Sequence, residues 1–221
     1  MTRTHRIRRP GARWLPLILA GLVGLAGYFG PWVPHRAVGL VITGLDLAEY
    51  VKFLPQVASG EIALRRETFY IPLFAGSLSA ALLASRRELR SWVRFTLALG
   101  AIPLALAMLP PAWSPAGLRL PEFRLQVIAI AICLGALPTA LLLARFLPNA
   151  VILALAALLA LAAAILPAQD FLRVRPAILD LYRASPPLGW GFWACIAGNL
   201  TLTLIAVAET IRQVSAPRFR G

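Results

Sequence analysis

Charge is scarce in this chain. Asp, Glu, Lys and Arg make up 14% of its 221 residues, 59% are hydrophobic, and the mean hydropathy is +0.76. An ordinary soluble domain carries about 25% charged and 45–50% apolar residues, so this composition excludes a soluble enzyme. The 18 Pro and 16 Gly form no low-complexity tract, which argues against a disordered chain. Acids are scarcer still, nine against 22 basic residues, for a net charge of +13. The basic residues sit between apolar runs, which points to anionic lipid headgroups and membrane orientation; no nucleic-acid partner is expected. There are two cysteines, Cys133 and Cys195, each inside an apolar run. With no CxxC and no Cys/His cluster, neither a disulfide framework nor a metal site is indicated.

Long apolar runs are what the sequence has instead. Six windows lack Asp, Glu, Lys, Arg and His: 14–33, 69–85, 95–113, 125–143, 150–166 and 189–207. Crossing a hydrocarbon core of about 30 Å takes ~20 helical residues, with a range of roughly 17–25, and every window falls within it. Backbone polar groups cannot stay unpaired in lipid, so runs of this length are helices or barrel strands. Barrel strands alternate in polarity over about ten residues, and 153–166 shows no alternation. The expected fold is all-α: a polytopic transmembrane bundle of six spans with an amphipathic interfacial helix in its first outer loop. Pro72, Pro103 and Pro138 fall inside windows, where neighbouring helices can satisfy the freed carbonyls. Kinks, or the broken helices of a transport site, are the two readings.

The basic start, Arg3 to Arg13, and the run after it resemble a signal peptide, but the run is too long and ends in Trp32 and Pro34. It reads as a retained first helix. With residues 1–13 as a cytoplasmic basic N-terminus, 14–207 as the transmembrane domain and 208–221 as a cytoplasmic basic tail, 13 of the 22 Lys/Arg face the cytoplasm. Only two of the nine acids do. This bias sets both termini inside and residues 34–68 outside, in the plasma membrane or the inner membrane of a two-membrane cell. A rival topology makes 37–57 a seventh helix. It would carry Asp46, Glu49 and Lys52 across lipid, at about 2.5–3.5 kcal/mol for a central charge.

The outer loop 34–68 is long enough to hold structure or function. Asp46, Glu49 and Lys52 recur every third residue and share one helical stripe, while Leu45, Ala48, Val51, Phe53 and Leu54 cover the rest. An amphipathic helix over 45–54 follows, lying on the outer membrane face or folded onto the bundle. Arg65 and Arg66 stand on the side where arginine is disfavoured, flanked by Glu61 and Glu67. Pro55 and Gly60 allow the chain to turn back. Asp46, Glu49, Arg65 and Arg66 are therefore the candidate ligand-binding residues, for a cation, a cationic headgroup or a phosphate. The last outer loop, 167–187, has a similar charge mix and room for a short helix between Pro176 and Pro186.

Polar residues within the windows are few. Gln126, Asn199, Thr201 and Thr203 are read as hydrogen bonds between helices, and Gly76, Ser77 and Ser79 as close packing. A serine protease needs a base beside its hydroxyl, and both histidines, His5 and His35, lie outside the spans. There is no His-Glu-x-x-His, no Asp-rich diphosphate motif, no phosphate loop and no intramembrane haem ligand. No catalytic residue, metal or cofactor is expected. The expected role is a non-enzymatic accessory or permease-like subunit of a membrane transport assembly, with lipids and other membrane subunits as partners. Two alternatives remain: a lipid-modifying or lipid-binding protein with a polar outer site, and a standalone small carrier.

Overall fold

Each of the six apolar windows contains a long helix, as the need to pair backbone groups in lipid requires. The computed structural model describes residues 14–35, 40–110, 114, 116–143, 146–183 and 185–215. The long helices are α1 (Leu15–Phe29), α4 (Ile71–Ala84), α5 (Ser91–Leu106), α6 (Arg124–Leu143), α7 (Asn149–Tyr182) and α8 (Trp190–Ser215). Between α1 and α4 lie β1 (Pro31–Val33), β2 (Ile42–Thr43), α2 (Gly44–Tyr50), a 3-10 turn Val51–Phe53 and α3 (Pro55–Ala58). The basic N-terminus 1–13 and the tail beyond 215 lie outside the described residues.

The architecture is all-α, and four helices among the described residues are long and apolar enough to cross a membrane. They are Arg66–Ala84, Pro121–Leu143, Asn149–Tyr182 and Trp190–Ser215, while Leu15–Phe29 and Ser91–Leu106 are apolar and shorter. Local chemistry shortens both. Gly30 is extended ahead of Pro31, which stops α1 and sends residues 31–33 into β1. Near its end α5 holds Pro103, after which the chain tightens into Met108 N–H to Ala105 O and Leu109 N–H to Leu106 O turns.

Two expectations need correction. Residues 167–187 do not form a loop with a separate short helix. Helix α7 runs unbroken for 34 residues, about 51 Å, with Pro167 and Pro176 inside it. Packing holds that upper part in place: Phe171, Val174 and Ile178 are buried, and Arg183 ends the helix in the left-handed region at φ 49°. Pro72 does not kink α4 either; it sits in the first turn, where its missing N–H is no loss.

The helices alternate in direction, so their ends gather into two halves. One core cluster joins Trp14, Leu17, Leu83, Leu89, Leu153, Ala156, Ala160 and Ala206 near the 85–90 turn. The other joins Tyr28, Trp32, Leu47, Phe69, Met108, Phe171 and Phe192 under the 34–68 segment. Trp32, Phe171 and Phe192 pack mutually there, with centroids 5.2–5.3 Å apart.

Helices α1 and α8 meet backbone to backbone. A Cβ on Gly27 would lie 2.1 Å from the Cys195 nitrogen, and one on Gly198 would lie 2.3 Å from the Gly24 nitrogen. No side chain fits at either place. Elsewhere hydroxyls and amides join helices: Ser77 Oγ donates to Ala101 O at 2.8 Å, Gln126 Nε2 to Met108 O at 3.2 Å and Thr203 Oγ1 to Ala157 O at 3.3 Å. Asn199 bonds within its own helix, donating to Cys195 O.

At the opposite end from α2, Arg86 is buried and binds two loops together. It donates through Nε and Nη2 to Ser85 Oγ, and through Nη1 to Leu147 O at 3.1 Å and to Asn149 Oδ1 at 3.0 Å. Burial lowers its pKa from the ordinary arginine value, and neighbouring Glu88 opposes the shift.

Gly27→Leu or Gly198→Leu is expected to abolish folded, monodisperse protein on size exclusion in detergent. Gly135→Ala, where a Cβ meets nothing within 4 Å, is expected to raise helix stability by about 0.5–1 kcal/mol in a thermal melt.

Candidate functional site

The segment between α1 and α4 builds a lid. Thr43 caps α2 in a reciprocal box, its Oγ1 accepting from Asp46 N–H while Asp46 Oδ2 accepts from Thr43 N–H at 2.9 Å. Leu47, Ala48, Val51 and Leu54 are buried against the bundle. Leu54 is extended ahead of Pro55, so the expected helix over 45–54 is an α-helix to Tyr50 and a 3-10 turn to Phe53. Gly60, at φ 79°, then turns the chain back toward the bundle.

This fold-back brings Glu49 to Arg66. Glu49 Oε1 accepts from Arg66 Nη1 at 3.4 Å and from Tyr70 Oη at 3.1 Å, and Oε2 accepts from Lys52 Nζ. Arg66 reaches on to α6 and the turn before it, donating from Nη2 to Glu122 O at 2.9 Å and to Gln126 Oε1 at 3.3 Å. Its guanidinium also lies 5.1 Å from the Phe123 ring centroid. Glu49 and Arg66 side chains are 22% and 14% exposed, so the pair is sheltered more than a surface ion pair.

Of the four candidate residues, then, the structure brings together two. Asp46 is exposed and engaged in the helix cap; Arg65 is exposed and has no side-chain partner among the described residues. Sequence reasoning missed Tyr70, although it stands four residues beyond Arg66, the spacing of neighbours on one helical face. Gln126 was singled out for bonding between helices; its contact with Arg66 depends on how the 114–123 segment folds, which no local pattern encodes.

A recess of about 440 Å³ borders this cluster, lined by Leu45, Asp46, Glu49, Tyr50 and Tyr70 among others. Both Glu49 oxygens accept hydrogen bonds, so the carboxylate anchors the lid to Arg66 and Tyr70. Among the described residues no group of three or more His, Cys, Asp or Glu could hold a metal ion.

A second recess, also of about 440 Å³, opens on the side of the bundle. Its floor is α4 at Ala75, Gly76, Ser79 and Ala80, and its walls are α1 and α5. Helix α1 packs mainly on α8 and lightly on α4, which leaves this gap beside α5. The chain matches no protein-family model, no curated protein and no solved structure.

Arg66→Met is expected to cost about 2–3 kcal/mol in thermal unfolding, because Glu49 loses its arginine and Glu122 O and Gln126 Oε1 each lose a donor. Combined with Glu49→Gln it should cost less than the two changes added, by at least 0.5 kcal/mol. Arg65→Gln should stay within about 0.5 kcal/mol of the parent. Equal losses at Arg65 and Arg66 would contradict the cluster.

Proposed function

We propose that the chain crosses the bilayer six times, with both termini cytoplasmic and the α2 lid outside, and serves as a non-enzymatic accessory subunit of a transport assembly in the plasma or inner membrane. Alternating helix directions support six crossings, including the two shorter helices. So do large aromatic side chains exposed near both ends: Trp92, Phe95 and Phe146 near the arginine end, and Phe29, Phe53, Trp190 and Trp193 near the lid. Aromatics at such levels mark the two membrane interfaces. A short helix is accommodated by local bilayer thinning at a modest cost.

The observation that carries the accessory role is where the bundle is polar and where it is apolar. Polar side chains within its helices are largely spent on neighbouring backbone, and the recess between α1, α4 and α5 is apolar along nearly all its length. A solute carrier needs polar groups facing a cavity at mid-depth. The exposed apolar side chains Leu142, Leu158 and Leu204 suit association within the membrane plane.

The polar cluster under the lid favours one second reading, a binding site for a lipid headgroup at the outer face. The recess beside Asp46, Glu49 and Tyr70 supports it.

Thiol labelling in intact cells tests the topology. A cysteine at exposed Ser59 should react with an impermeant reagent and one at exposed Ser91 should not; native Cys133 and Cys195 are buried and give little background. The reverse pattern overturns the orientation. Photo-crosslinkers at the outward positions Leu142, Leu158 and Leu204 test the role. One face should yield a reproducible adduct with a single membrane protein; adducts with lipid alone from every face overturn it.

A further inference from the structure

The lateral groove has a length and a charge at one mouth that together select an occupant. We propose that it seats one acyl chain of an anionic phospholipid, whose headgroup is held by Arg87 and Arg90. The proposal rests on the membrane-spanning reading above and goes beyond the accessory role.

Length comes first. The groove follows α1 from Leu15 to Leu25, α4 from Pro72 to Leu83 and α5 from Trp92 to Leu104. At 1.5 Å per residue these stretches are about 15–18 Å long, close to the ~15 Å depth of one leaflet of a 30 Å core. The groove starts at the arginine end and runs along most of α4 and α5, to Pro72 and Leu104. Its length suits one extended acyl chain entering from that end.

Charge comes second. Four arginines surround the α4–α5 turn, and two of them are already committed. Arg86 is buried in its loop network, and Arg94 Nε donates to Ala84 O at 3.0 Å. Arg87 and Arg90 are exposed and have no hydrogen-bond or ion-pair partner among the described residues. Arg90 caps α5 and continues the stripe of Val93, Leu97, Gly100 and Leu104 that lines the groove. Trp92 stands 65% exposed at the same mouth, at the level where an indole meets headgroups. A free guanidinium pair above an apolar slot is complementary to a phosphate carrying a hydrocarbon chain.

A partner's transmembrane helix is the competing occupant, and the cross-linking below distinguishes it from a lipid.

The test uses the full chain in phosphatidylcholine nanodiscs doped with phosphatidylglycerol bearing a photoreactive chain. Label should concentrate on α1, α4 and α5 positions such as Leu22, Gly76 and Leu97, and unlabelled phosphatidylglycerol should compete for it where phosphatidylcholine does not. Ala80→Phe, which fills the floor, should remove the groove label. Arg87→Gln with Arg90→Gln, both at exposed positions, should reduce the preference for phosphatidylglycerol over phosphatidylcholine roughly 30-fold with folding unchanged. Label spread evenly around the bundle, an unchanged preference in the double variant, or groove residues cross-linked to another protein instead of lipid would each overturn the proposal. The labelling needs no partner protein, so it can succeed where the accessory role fails, and the reverse.

Discussion

The bundle is closed by the contact of α1 with α8, where glycines let the two backbones touch. Between helices in lipid the hydrophobic effect is absent, and attraction comes from close van der Waals packing. Gly24 and Gly27 on one helix face Gly191, Cys195 and Gly198 on the other, so the two backbones touch. This joins the first long helix of the described chain to the last. It also brings Gly189 N–H within 2.9 Å of Trp32 O, which fixes β1 at the lid end. Trp32 then completes the aromatic group with Phe171 and Phe192, and Gly44 of α2 packs against Tyr28 and Trp32. The lid's position therefore follows from glycines far from it in sequence.

Each end of the bundle is further fixed by one arginine. Arg66 joins the lid to α6, and Arg86 joins the α4–α5 turn to the start of α7. Both use a planar fork of donors to reach backbone carbonyls as well as side chains, a geometry that lysine's single ammonium does not reproduce. Losing such a residue would leave several acceptors unpaired at once, which costs more than any one of the bonds contributes. The nearby Arg65 and Arg87 look alike in the sequence and have no such role in the fold.

That difference marks how far the sequence could be read. Windows free of charge identified all six helices, because lipid leaves the backbone one local solution. The failures came where helix and loop share a composition. Asp170, Arg173 and Arg175 suggested a loop after Pro167, yet Asp170 and Arg173 form an ion pair one turn apart on a helix that continues unbroken through them. The Gly24/Gly27 contact was invisible because periodicity cannot be read inside a uniformly apolar run. At the site, Glu49 could be paired with an arginine from loop length and charge alone. Which of two adjacent arginines it meets depends on the 3-10 turn Arg66–Tyr70 that points Arg66 and Tyr70 inward.

The groove follows from the same contact that closes the bundle. Helix α1 carries its small residues Ala20, Gly24 and Gly27 on one narrow face and its leucines elsewhere. Committing the small face to α8 draws α1 as close to α8 as backbones allow, and away from α5. The leucines then stand as a wall, with Leu22 and Leu25 opposite Leu97 and Leu104 and the small residues of α4 as the floor between them. Widening α1's small face would let it approach α5 and close the gap, but the wall leucines would then lose their place against the floor. A tight closure on one side and an open slot on the other are one packing decision, made by where three small residues fall on a fifteen-residue helix.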